Sequence, residues 1–155
     1  MLTHEFNLQP ALSHKQRLEE ISQMELAELE QSYARERRAL ELLCELERLG
    51  YEEINQQHGS GNLNVAAIGL SFSDLQALQK RLEQQMFVLQ DLANKIEHKR
   101  EELIEISKER KALEKLKEKH ARKVAQAMIR AENKIMDEIA TSQFYRRRLS
   151  EGAFE

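Results

Sequence analysis

Between Leu12 and Gly50 no glycine or proline interrupts the chain, and Leu26, Leu29, Tyr33, Leu40 and Leu43 fall at alternating three- and four-residue steps, with one polar gap at Glu36. That spacing predicts a helix over about residues 9–54 with a single narrow apolar stripe. Pro10, the only proline, fits its first turn, where the amide that proline lacks has no partner anyway. Asn7 is the candidate N-cap. Residues 55–71 break the pattern: glycines stand at 59, 61 and 69 among Asn and Gln, so this stretch is predicted as the connector. Val65 to Leu70 within it are apolar and are expected to lie against the hairpin end. Ser71 with Asp74 reads as a capping box, with Leu70 and Leu75 as its hydrophobic staple and Ser73 with Gln76 as a second version of the box. A second helix is expected over about 72–148.

The second helix carries a more regular seam. Leu75, Leu78, Leu82, Leu89, Leu92, Ile96, Leu103, Ile106 and Leu113 hold a heptad register, with polar gaps at Gln85, Lys99 and Arg110. Helices of this kind are stabilised mainly by burying their apolar face, so each seam wants a partner, and the simplest partner is the other helix folded back. The predicted fold is all-α, a long antiparallel two-helix coiled coil forming one domain over 1–155. At ~1.5 Å per residue the helices run roughly 65 Å and 115 Å. If Ile54 pairs near Ser73 and Gln9 near Glu118, the last ~30 residues overhang, a count that follows from the same helical rise. The seam agrees: beyond Leu113 its heptad positions are Lys117, His120, Val124, Ala127, Ala131, Lys134 and Glu138, too polar for a packed core. Val124, Met128, Ala131, Ile135 and Ile139 form a stripe of different phase, a candidate binding face.

Composition narrows the function classes. Charged residues are 33% and aromatics 5%, with no Trp, five Gly and one Pro, so a sandwich, barrel or wound sheet would lack its core and its turns. One cysteine, Cys44, excludes an internal disulfide and fits a reducing compartment. No apolar run approaches the ~18 residues of a membrane span and no secretory signal is evident, so a cytoplasmic protein without membrane insertion is expected. The net charge of −3 is uneven: residues 1–56 hold 6 basic and 12 acidic side chains, the remainder 18 and 15.

Chemistry-bearing constellations are weak. His4, His14, His58, His98 and His120 are scattered, with no i, i+4 pair and no accompanying Cys, so no metal is expected. The segment from His58 to Asn62 lacks the ending of a phosphate loop, and no other cofactor motif is present. Carboxylates on exposed helices have no desolvated pocket to separate their pKa values, so catalysis is not expected. Lys108 to Lys123 hold eight basic and three acidic residues, and Arg146 to Arg148 follow. Without interleaved aromatics, and with acids at pairing distance (Glu118 with Arg122, Glu114 with Lys117), this reads as a solvated face or a site for an acidic protein rather than for nucleic acid.

Three segments in order resemble the FliJ family of the bacterial flagellar export apparatus. Phe6-Asn7-Leu8-Gln9-Pro10-Ala11-Leu12 is similar to the family's opening F-x-L-Q-x-x-L, followed by Lys15, Arg17, Glu19, Glu20 and Glu25-Leu26-Ala27. The glycine connector and leucine-rich restart resemble its hairpin. Glu109-Arg110-Lys111, Leu113-Glu114-Lys115-Leu116-Lys117 and Met136-Asp137-Glu138-Ile139-Ala140 are similar to its closing motifs. The resemblance implies a stalk-like coiled coil with three partners: the hexameric secretion ATPase, the cytosolic part of the membrane export gate, and export chaperones. It implies no enzymatic activity and a position at the inner face of the membrane. Carried over, Met128, Ala131, Ile135, Asp137, Glu138 and Ile139 are the expected ATPase-facing residues; Phe72, Leu75 and Leu78 are the candidate gate contact. The injectisome stalk shares this architecture, and a self-associating scaffold pairing Leu75 to Leu113 between chains is the reading from another class.

Overall fold

The computed structural model describes residues 5–59, 61 and 64–151. They form two α-helices, α1 (Gln9–Gly59) and α2 (Val65–Glu151), which pack against each other. This is the all-α helical hairpin that the two seams predict. Its contacts divide it into two units, Leu18–Ile106 and Met1–Arg17 with Ser107–Glu155, and both helices pass through both.

The connector is far shorter than the glycines suggest. Of the predicted 55–71, residues 55–59 finish α1 and 65–71 open α2, leaving 60–64 between them. Asn64 is the reason. Its Oδ1 accepts the amide of Ala67 at 3.3 Å and its carbonyl accepts that of Ile68 at 3.1 Å, so the helix is capped seven residues before the expected box. Ser71 is then an interior helical residue whose hydroxyl donates back to the carbonyl of Ala67 at 3.2 Å. Gly69 is tolerated inside the helix, whereas Gly61 is needed, since it takes φ +70°, a left-handed conformation costly for other residues.

In the unit Leu18–Ile106 the heptad seam is the core. Leu75, Leu82, Leu89 and Ile96 recur every seven residues and are buried, as is Ile54 opposite the start of the series. At the hairpin end a Cβ at Gly50 would lie 2.9 Å from Leu75 Cδ2, so the missing side chain leaves room for the buried Leu75 methyl. Farther along, Gln79 donates to the Tyr51 hydroxyl at 2.9 Å and Arg100 meets Glu30 at 2.9 Å, which makes the pairing antiparallel.

The polar gaps are matched rather than left open. Gln85, the first polar gap of α2, meets Glu36, the gap of α1: its Nε2 donates to the Glu36 carboxylate at 2.6 Å and to the Glu36 carbonyl at 2.9 Å. Lys99 Nζ lies 2.6 Å from Glu25 and 2.8 Å from Glu102. Ser22 is buried with no hydrogen-bond partner for its hydroxyl, a weak point of the seam.

The Lys99 cluster predicts a pH response. Hydrogen bonds to Glu102 and then Glu25 raise Lys99 above the usual amine value, and the bond from Lys99 together with its charge lowers Glu102. A carboxyl with a depressed folded pKa stabilises above its unfolded value of ~4.3 and loses that contribution as pH falls through the folded one. Lys99 is the converse: its contribution is complete below ~10.4 and is lost as pH rises through its elevated value. Lys99→Met should therefore lose less melting temperature than wild type between neutral and strongly acid pH, by a small margin because the carboxylates are exposed. Thermal melts of both proteins at the two pH values check this; equal losses would remove the cluster from the acid response.

Candidate functional site

The unit Met1–Arg17 with Ser107–Glu155 begins as a paired structure and ends as a single helix. Leu12 is its buried apolar anchor, and Lys15 forms an ion pair with Glu109. Arg110 binds Glu114 at 2.6 Å, so Glu114 is engaged from one turn before and not by Lys117 as its spacing suggested. Gln9 opens α1 by donating its amide to the Phe6 carbonyl at 2.9 Å, with Pro10 next in the first turn. Asn7 is one of the two turn residues before the helix, and the amide of Leu12 goes to the carbonyl of Leu8 at 3.0 Å.

Residues ahead of α1 extend the pairing. Phe6 packs on His120 with ring centroids 5.8 Å apart and planes tilted by 53°. Phe6, Pro10, His120, Val124 and Met128 then line one open groove. Covered positions on α2 thus continue to His120, Val124 and Ala127, all half-buried, past the expected limit near Glu118. The physical reason is Phe6: an aromatic preceding the helix supplies the apolar surface that polar seam positions lack.

Beyond this point no described residue of the unit covers the helix. From Met128 to Leu149 every residue is exposed. Met128, Ala131, Ile135 and Ile139 lie on one face at three- and four-residue steps, with Asp137 and Glu138 exposed beside them. Ile129 and Met136, also exposed, stand next to that face and widen it. The sequence stripe omitted them because it followed one heptad phase; counting every apolar side chain over two turns would have found them. Near its end Phe144 and Tyr145 make an edge contact at 6.2 Å, and Arg148 lies 5.9 Å from the Phe144 ring centroid.

At the hairpin end the three candidate residues divide. Phe72 is 50% exposed, Leu78 is half-buried, and Leu75 is 5% exposed against Gly50. Leu75 belongs to the core, so of these three only Phe72 offers substantial surface, beside the still more exposed Val65 and Leu70.

Among the described residues no group of three or more His, Cys, Asp or Glu side chains could hold a metal, and no helix is long and apolar enough to cross a membrane. An uncovered apolar helix face with acids beside it can bind a complementary groove or helix.

No curated protein and no solved structure matches the chain. A family model does, over residues 4–149, described as the flagellar FliJ protein. The match spans the opening motif, both helices and the uncovered face, and with the helical hairpin it leads to one conclusion: this chain belongs to the FliJ family, a non-enzymatic component of flagellar protein export.

Proposed function

We propose that this protein acts in the cytoplasm as the stalk of the flagellar export machinery, seating its C-terminal helix in the hexameric secretion ATPase and reaching the membrane export gate and export chaperones through other surfaces. The observation that carries this reading is the uncovered face of α2 around Met128, Ile135 and Ile139, with the FliJ family match as its context. An exposed apolar face of this extent stabilises a complex when it is desolvated by a partner, and a helix without a pocket works by biasing its partner's states. The family match favours the flagellar ATPase over its injectisome counterpart as that partner.

The test is turnover and hexamer assembly of the cognate ATPase with and without the chain. Stimulation is expected near one chain per hexamer. Replacing Met128, Ile135 and Ile139 together by Ala should leave helicity intact, because alanine is the best helix former, and weaken ATPase binding by about tenfold or more. A triple variant that binds as tightly as wild type would remove this face from the ATPase contact. Wild-type protein that neither binds nor stimulates would refute the stalk reading itself.

A further inference from the structure

Helix α1 carries two seams, and only one is covered. The first, through Tyr33, Glu36, Leu40, Leu43 and Ile54, is half-buried or buried against α2. One residue earlier the same alternating spacing repeats as Arg35, Ala39, Leu42, Leu46, Leu49 and Glu53. Since one residue turns an α-helix by ~100°, the second seam runs alongside the first on the next face. Its leucines are open to solvent: Leu42 is 68% exposed, Leu46 54% and Leu49 46%.

The ends of this seam carry opposite and unused charges. Among the described residues Arg35 binds only the hydroxyl of Ser32, at 3.2 Å, and Glu53 accepts only from Gln57, at 3.5 Å. Their neighbours are already paired within the helix, Arg37 with Glu41, and Arg48 with Glu45 and Glu52. A stripe that reads cation, apolar, anion is complementary to itself when reversed. Laid parallel on a copy of itself, it would set Arg35 on Arg35 and Glu53 on Glu53.

We propose that the second seam pairs with the same seam of a second copy of this chain, antiparallel, with the two-fold axis between Leu42 and Leu46. In that register Leu42 of one copy faces Leu46 of the other, Ala39 faces Leu49, and Arg35 faces Glu53, each contact occurring twice as an isologous interface requires. Each copy contributes three leucines and one alanine, a small core, so association is concentration-dependent. The proposal does not depend on the export reading, since it concerns α1 between Arg35 and Glu53 and not the C-terminal face of α2.

Sedimentation equilibrium of the full chain tests it. The wild-type mass should rise with concentration from 18.2 kDa toward twice that value. Arg35→Glu alone and Glu53→Arg alone should each keep the chain monomeric by opposing like charges, and the two together should restore the dimer. Leu46→Lys should abolish it. All three positions are exposed, so circular dichroism should show unchanged helicity in every variant. A wild type that stays monomeric at the highest concentration reached, a dimer indifferent to the single reversals, or a double reversal that fails to restore association would each overturn the proposal.

Discussion

Truncating Leu82 and Leu89 together to alanine should lower the midpoint of thermal unfolding by roughly 10–20 °C. Both leucines are buried in the heptad series of the unit Leu18–Ile106, and each loses its transfer free energy plus the cost of the gap left behind. In a two-helix seam water reaches the gap, so the lower end of the usual range applies, about 2–3 kcal/mol each. The positions lie two helical turns apart and share few neighbours, so the losses should nearly add. Against a total stability of about 5–15 kcal/mol the pair removes a large fraction. The control is Met86→Ala with Phe87→Ala, which removes as much apolar volume from exposed positions of the same helix. That variant should melt within a few degrees of wild type, on the ordinary scale for surface substitutions. Melts followed by circular dichroism decide between them; equal shifts would mean that the heptad leucines are not the core of this unit.

The heptad leucines are also where the sequence was easiest to read, and for a physical reason. A seam of period 3.5 must bury itself, and with two such seams and one glycine-containing break the hairpin follows almost without alternatives. The antiparallel register was legible to within a few residues, because the turn fixes it. Helix ends were not. Glycines at 59, 61 and 69 suggest a long connector, yet Asn64 is as good a cap residue as Ser71 and its side chain takes the Ala67 amide, so the helix begins seven residues earlier. The reach of the pairing exceeds what the seam predicts, because a polar position such as His120 carries no sign of burial in its own residue type. Phe6, outside the helix and outside any periodic pattern, supplies the contact that makes His120 a covered position. The candidate site was legible as an uncovered apolar stripe but not in its width, since Ile129 and Met136 belong to a neighbouring phase. For Leu75 the same periodicity that made it visible assigns it to the core, so it could not also serve as open surface.

Replacing Gln85 and Glu36 singly and together by leucine should give changes of opposite sign. With Gln85→Leu alone, the Glu36 carboxylate loses the donor 2.6 Å away and is left half-buried against an aliphatic side chain. Desolvating an unpaired polar group costs ~1–3 kcal/mol, so the melting temperature should fall. With both replaced, nothing polar is orphaned: the Glu36 carbonyl keeps its place in the helical ladder, and two leucines meet in a layer already flanked by Leu82 and Leu89. The double variant should then exceed wild type by ~1–2 kcal/mol, less than full burial of two leucines would give because the layer is only half-covered. What the polar pair contributes instead is uniqueness. A Gln donating to both a carboxylate and a carbonyl of one residue satisfies its geometry in a single alignment, whereas a leucine layer is satisfied equally after a slip of one heptad. A slip of that size would place Leu78 or Leu92 opposite position 36 and strand Lys99 away from Glu25. Introduced cysteines at Gln79 and Glu47, which face each other in the native alignment, should therefore form an intramolecular disulfide quantitatively in the wild-type background and only partly in the leucine double variant. Complete disulfide formation in both backgrounds, together with the higher melting temperature, would assign the polar pair a cost in stability with no return in register.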